Sequence, residues 1–346
     1  MSIFDRIRHA DRPKQDDGEV RRGAVSGFSL RKTKTRLVDW EVLRADIAAH
    51  LANTQMSLAS HEHGYNLLIP GHNPIAFRPP HNGAVLHKPA HPFFYEETTT
   101  LLLSFLITRF QTSLFFDIGA GLGYFARVAA SHIKHAPSVY AFEMRPDRMS
   151  QLEANIANDA FGARILPRLA GLTDVHKGPT DIWYASSILF ETRPDAADYR
   201  ERWRWLKFNL RSGFNGTFTS ANVPMTSVDH VAETAGAWPD IVKVDVDGYE
   251  GRVLEGALKV LVTHRPFILL ELHKDKKLRF GVRRRDIANS LFDLGYRALF
   301  LTDHQDRLKC EVVEVRSGDP LIDRQETDLL LFFHPEFQRN DQANPR

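Results

Sequence analysis

The stretch Phe116-Asp117-Ile118-Gly119-Ala120-Gly121-Leu122-Gly123-Tyr124 sets three glycines at alternate positions between an apolar run, Leu114 to Ile118, and a helical pattern from Tyr124 to about Lys134. Strand, glycine turn and helix in that order make a nucleotide-type loop. Glycine admits positive φ and lets backbone N–H groups approach a ligand, and ligands sit at the open carboxyl edge of such sheets. A second unit follows: Val139-Tyr140-Ala141-Phe142-Glu143 reads as the next strand, and Arg145-Pro146 opens a helix reaching about Asn158, with proline suited to a first helical turn. Glu143 ends that strand, twenty residues past Gly123, where an acidic side chain can accept hydrogen bonds from both hydroxyls of a ribose.

Outward from this pair the alternation continues. Apolar runs fit strands at 163–169, 241–246, 267–273, 296–301 and 329–333, and helical spacing fits 97–111, 249–263 and 285–294. Alternating strands and helices predict an α/β fold with an open, largely parallel sheet covered on both faces. Residues 175–238, with Trp183, Tyr184, Trp203, Trp205 and the alternating run Phe214 to Val223, predict a β-rich, antiparallel insertion. Upstream, Leu43, Ile47 and Leu51 recur at helical spacing within Val38 to Leu58, and the proline-rich stretch 60–95 predicts irregular loop and short strand, suited to a lid or substrate wall. The reading divides the chain into a basic, mobile arm over 1–36, a helix and Pro/His-rich cap over 37–95, a main domain over 96–335 and a polar tail over 336–346.

Composition narrows the class. Apolar residues make up 43% and charged residues 25% of the 346 residues, a globular balance that removes disorder and disulfide scaffolds. Lys+Arg 45 against Asp+Glu 43 leaves +2, which argues against a surface built for nucleic acid. The single cysteine, Cys310, cannot pair within the chain or build a thiolate zinc site. A charged first turn with no apolar stretch after it, and no apolar run of membrane-spanning length, predict a cytoplasmic protein.

Two cofactors use a loop of this kind, NAD and S-adenosylmethionine. The dinucleotide fingerprint needs a small residue at the position Tyr124 occupies, so the spacing favours S-adenosylmethionine, and Asp117 suits a ligand bearing an amino group. The core from about Phe94 to Pro335 resembles the FkbM-type S-adenosylmethionine-dependent methyltransferases. The likeness rests on D-I-G-A-G-L-G-Y (117–124), A-F-E (141–143), L-E-A-N-I (152–156), T-S-V-D-H-V (226–231), I-V-K-V-D-V-D-G-Y-E (241–250) and F-I-L-L-E-L (267–272). Gly121, Asp247 and Tyr249 replace the Asn, Glu and Ala usual in that family. The resemblance implies a Rossmann-like class I methyltransferase with seven strands, one of them antiparallel, and O-methylation, often of sugar hydroxyls. On it, Asp117, Gly119, Ala120, Gly121, Gly123, Tyr124, Glu143 and Met144 hold the cofactor, and a side chain at Gly119 would occupy the ligand's space. Asp247, Tyr249 and Glu250 stand where an acceptor would bind.

An alcohol acceptor needs a proton acceptor, and the strand ends offer Lys243, Asp245, Glu271 and His273; Asp245 is the first choice as base or orienter and His273 the second. Each has a structural alternative: Asp247-Gly248 as an ordinary turn, Glu271 as a partner of Lys243, His273 as a strand cap. His61, His63, His72, His81, His87 and His91 are irregularly spaced, so no metal site is expected. The runs 200–207 and 274–285 mix cations with aromatics and read chiefly as solvated faces, with contact to an anionic or glycosidic acceptor as the alternative. The expected partner is a small-molecule or glycan acceptor. Rival readings are methylation of a polyketide, lipid or RNA, or a catalytically silent binding domain of the same fold.

Overall fold

Short apolar runs closed off by Gly, Pro and Asp become strands, and the amphipathic runs between them become helices, in the computed structural model, which describes residues 34–62, 64–77, 96–134, 136–157, 159–185, 188–190, 219–304 and 307–339. Strand β1 (Lys34–Leu37) leads to α1 (Trp40–Asn53), whose first N–H groups are capped by the Asp39 carboxylate and which buries Leu43, Ile47 and Leu51. This helix stops five residues short of the expected Leu58, because Ser57 onward is extended: β2 (Ser57–His61), β3 (Gly64–Leu68) and β4 (Ile75–Phe77) form a small antiparallel sheet. Helix α2 (Glu97–Phe110) then opens the main domain.

That domain runs β5 (Phe115–Ile118), α3 (Tyr124–His132), β6 (Val139–Glu143), α4 (Pro146–Ile156) and β7 (Ile165–Leu169). The insertion follows as β8 (Gly171–Leu172), β9 (Gly178–Ala185), β10 (Ile188–Phe190) and β11 (Thr219–Thr226); β11 is antiparallel to β9 and parallel to β8. After it come α5 (Val228–Ala235), β12 (Ile241–Val244), α6 (Glu250–Glu255), α7 (Leu258–Thr263), β13 (Phe267–Leu272), α8 (Arg284–Asp293), β14 (Arg297–Leu301), β15 (Val312–Val315), β16 (Asp328–Phe333) and β17 (Glu336–Arg339).

The central sheet has the order β15-β14-β16-β13-β12-β5-β6-β7. Its five strands β7, β6, β5, β12 and β13 are parallel, β16 runs antiparallel between β13 and β14, and β15 pairs antiparallel at the edge. The sheet therefore has eight strands rather than seven, and two antiparallel rather than one. The extra strand, Val312-Val313-Glu314-Val315, is an edge strand with only Val315 buried; its composition suits a strand, but four residues are too short a run to stand out.

Side chains alternate between two cores. Phe115, Val139, Ile241, Phe267 and Leu269 face the one shared with α1, α2 and α3; Phe116, Tyr140, Val242, Ile268 and Leu270 face the one shared with α5, α7 and α8, as a strand period of two demands. The helix expected over 249–263 is broken at Gly256, where a Cβ would lie 2.0 Å from the Thr173 carbonyl oxygen, so two short helices lean onto the chain at 173. Two boundaries also move. Residues 34–36, read as the end of an arm, and 336–339, read as part of a tail, belong to β1 and β17, which pair antiparallel, and buried Phe337 packs on Phe110 and Phe267. Residues 1–33, Trp203, Trp205, the run 200–207 and His63, His81, His87 and His91 lie outside the described residues. Among the described residues no helix is long and apolar enough to cross a membrane.

Candidate active site

At the carboxyl ends of β5, β6 and β12 the sheet opens onto a cavity of about 540 Å³. The loop after β5 forms one wall. Gly119, Gly121 and Gly123 all have positive φ, at 82°, 56° and 84°, which favours glycine at each, but their surroundings differ. A Cβ on Gly119 would lie 1.8 Å from the backbone oxygen of Asp245, and one on Gly123 3.0 Å from Leu152, whereas Gly121 faces open space. Gly119 thus lets the loop lie against the end of β12, and it is Gly121, not Gly119, that leaves the room a ligand would use. The N–H groups of Gly119 and Ala120 both donate to the Phe142 carbonyl, at 3.0 and 2.9 Å, tying the loop to β6.

Glu143 joins the two loops. One carboxylate oxygen accepts from the Gly121 N–H at 3.0 Å and the other from the Arg145 N–H at 2.9 Å. Burial pushes its carboxyl up, opposed by those backbone N–H groups and by Arg148 and Arg145. Each oxygen keeps a further lone pair, so the pre-set carboxylate can still receive two hydroxyls. Met144, Gly171, Leu172 and Met225 line an apolar part of the same cavity, suited to the flat face of a purine. Tyr124 is almost buried; its hydroxyl lies 3.0 Å from Thr100 Oγ1 and its ring meets Phe125 edge-on, which explains how the loop tolerates a bulky residue there.

Beneath the cavity lies a buried charge network. Lys243 stands opposite Asp117 in the β12–β5 register and reaches Asp245 Oδ2 at 3.2 Å, with its ammonium 4.7 Å from the centre of the Phe125 ring. Burial works against the lysine's charge, but Asp245 and Asp117, with Glu96 and Glu271 behind them, outweigh it and keep the ammonium protonated. Four carboxylates around one ammonium cannot all stay ionised. Asp117, fully buried and with neither oxygen in a hydrogen bond of ordinary geometry, is pushed up to about 6 by burial against the pull of Lys243. Glu271 is raised well above the carboxylate range by burial and by Asp245 and Glu96. Asp245, although burial would raise it, is held low by Lys243 and then His273. Asp245 lines the cavity and is ionised; Asp117 does not line it.

The segment 245–250 turns sharply, with Asp247 at φ 51° and Gly248 at φ 109°, and it brings Glu250 back under the sheet. The fully buried Glu250 accepts from the Gly248 N–H at 3.1 Å and from His273 Nδ1 at 2.6 Å. A carboxylate oxygen can only accept, so Nδ1 carries a proton and donates it to Glu250. Nε2 lies 3.5 Å from Asp247 and 3.7 Å from Glu271. Asp247 and Tyr249 line the cavity with Lys243 and Asp245, whereas Glu250, Glu271 and His273 stand behind the wall. Sequence reasoning missed Arg145, Arg148 and Gln151 on the first turns of α4, the 170–172 segment and Met225. The 170–172 segment follows a parallel strand and so stood at a legible place; Arg279, in the run 274–285 read chiefly as a solvated face, lines the cavity instead. His304, beside this network, is pulled down to about 4 by burial.

The family model described as Methyltransferase FkbM domain matches residues 117–298, just over half of the chain. The chain belongs to the FkbM methyltransferase family. It is therefore an S-adenosylmethionine-dependent methyltransferase, and its site fits that cofactor: Gly121 leaves open space, Glu143 keeps free acceptor capacity, and the apolar slot lies beside both. A curated relative, the hexuronic acid methyltransferase AglP of Haloferax volcanii, is 24% identical over 220 residues, covering 63% of this chain and 73% of that protein. Among solved structures, FkbM from Methylobacillus flagellatus aligns at 14% identity and TM-score 0.38, over 64% of this chain and 44% of that one, so this FkbM chain spans less than half of it. The O-methyltransferase from Bacillus cereus in complex with SAH aligns at 14% identity and TM-score 0.35, over 73% and 85% of the two chains.

Proposed function

We propose that this protein transfers a methyl group from S-adenosylmethionine to a hydroxyl of a sugar or glycoconjugate. The observation that carries the reading is Asp245, an ionised carboxylate on the cavity wall, backed by Lys243 at 3.2 Å and one strand away from the glycine loop. The bound cofactor supplies an electrophilic methyl carbon on a sulfonium. The chain's task is to hold an oxygen in line with that carbon and to exclude water. Glu143, held in place by the Gly121 N–H, fixes the nucleoside end, and Asp245 accepts the hydrogen bond of the incoming hydroxyl and so aims its lone pair. Asp245 is also the first choice to receive the hydroxyl proton, and His273, held at Nδ1 by Glu250, stands behind it as the second.

A sugar acceptor is supported by the AglP relationship and by the cavity's polar rim, where Arg145, Arg148, Tyr249 and Arg279 supply donors for hydroxyls or a carboxylate and a ring to stack on. The test is transfer of labelled methyl from S-adenosylmethionine to a panel of hexuronic acid glycosides, neutral glycosides, lipid alcohols, polyketides and RNA, followed by alkali treatment of the product. An alkali-stable methyl on a glycoside supports the reading. An alkali-labile methyl would show esterification of a carboxylate instead, and labelling confined to lipid, polyketide or RNA would overturn it.

A further inference from the structure

Glu271 belongs to two tight clusters. With Glu96 at the start of α2 and His304 just after β14 it places one possible ligand atom per residue within 4.8 Å of the others, and the same holds for Asp245, Glu271 and His273. The first cluster has an unexplained member. His304 is 3% exposed and its Nε2 is buried without a hydrogen-bond partner, although a buried ring nitrogen with a merely structural role is expected to find one.

We propose that Glu96, Glu271 and His304 form a binding site for a divalent transition-metal ion. Two carboxylates and one imidazole suit a first-row divalent ion such as Fe²⁺ or Zn²⁺ better than Mg²⁺ or Ca²⁺, which prefer oxygen alone, and Mn²⁺, the hardest of the series, accepts the same mixed set and serves as the paramagnetic probe. The ligands come from three segments separated by 175 and 33 residues, so no spacing in the sequence announces the site. Glu271 also neighbours Asp245 on the cavity wall. An ion on Glu271 therefore lies one carboxylate away from the acceptor's place, where a Lewis acid favours the ionised form of a hydroxyl.

The test needs neither cofactor nor acceptor. Mn²⁺ alone is titrated into the full chain at neutral pH while the free-ion electron paramagnetic resonance signal is followed, and the bound ion is examined for hyperfine coupling to an imidazole nitrogen. One saturable ion per chain with nitrogen coupling is expected, weakened at least tenfold in His304→Gln and in Glu96→Gln and unchanged in the remote surface variant Glu233→Gln. Circular dichroism checks that each variant folds, and the nitrogen coupling of the unsubstituted protein decides the matter if one does not. Absence of saturable binding, absence of nitrogen coupling, or full binding by both variants would overturn the proposal. So would loss confined to His273→Gln, which would place the ion on the other triple.

Discussion

At Glu143 a single carboxylate holds two backbone N–H groups and still has room for a ligand. Glu143→Ala removes an acceptor to which charge-assisted bonds contribute roughly 1.5–3 kcal/mol each. S-adenosylhomocysteine titrated into a folded Glu143→Ala variant is therefore expected to bind at least tenfold more weakly, and an unchanged isotherm would put the ribose contact elsewhere. The glycines separate by neighbour. Gly121→Val should fold and lose cofactor affinity, because its Cβ enters open space at a strained but tolerable φ, whereas Gly119→Val should fail to fold, its Cβ meeting the Asp245 carbonyl. Cofactor titration and circular dichroism on the two variants check both halves. At the chemical end, Asp245→Asn keeps size and loses charge. With cofactor saturating, its turnover is expected to fall by ~10²–10⁴ if the carboxylate receives the hydroxyl proton. His273→Gln is the paired measurement: near-normal turnover in Asp245→Asn with collapse in His273→Gln would move the base role to β13. These residues were legible one by one because strand ends carry chemistry in parallel sheets. Their partnerships were not, since the Glu250–His273 bond depends on how the 245–250 turn folds back.

Among the elements, the parallel strands could be read almost to the residue, but of the helices beside them α5 (Val228–Ala235) lay inside the stretch 175–238 read as antiparallel strands, its Ser227 cap and short length giving it little weight against the strands before it. β6 covers the five residues expected of it, and α4 starts at Pro146 as its ring geometry requires. The misread strands share a cause. β1, β15 and β17 are four-residue strands at sheet edges or in a two-stranded pair, so their sequences carry little burial pattern and their pairing is set by tertiary context. The α6–α7 break follows from a close approach at Gly256 that no local propensity encodes. The β1–β17 pair yields an expectation of its own. Phe337 is 1% exposed and its ring centre lies 5.8 Å from that of Phe110 and 4.8 Å from that of Phe267, so it anchors this ribbon to the core. Phe337→Ala is expected to cost about 3–5 kcal/mol, measured by urea unfolding, with little effect on cofactor affinity. A loss under 1 kcal/mol would show the ribbon to be an adornment on an independently stable domain.

For the whole molecule, the division into two cores on either side of one sheet was legible from strand periodicity alone. The contents of the cavity were not. Asp117, Lys243 and Glu271 sit inside otherwise apolar strands, on neighbouring strands and on one face, and only the register reveals that three isolated polar residues are one cluster.

Asp117 sealed opposite Lys243 also gives the protein a proton reservoir. Its carboxyl is poised to about 6 without cofactor, and a sulfonium nearby favours the ionised form, so uptake of the methyl donor near pH 6 should eject a fraction of a proton into solution. The demethylated product keeps the amino group and ribose but lacks the sulfonium charge, and should eject less. Calorimetry at pH 6 in buffers of different ionisation enthalpy tests this: the observed heat should vary more steeply with buffer for the donor than for the product, and equal behaviour would remove the sulfonium's pull on Asp117 from the linkage. As pH falls through 6, donor affinity should weaken more than product affinity, so acidification alone would tilt the competition for the site toward spent cofactor.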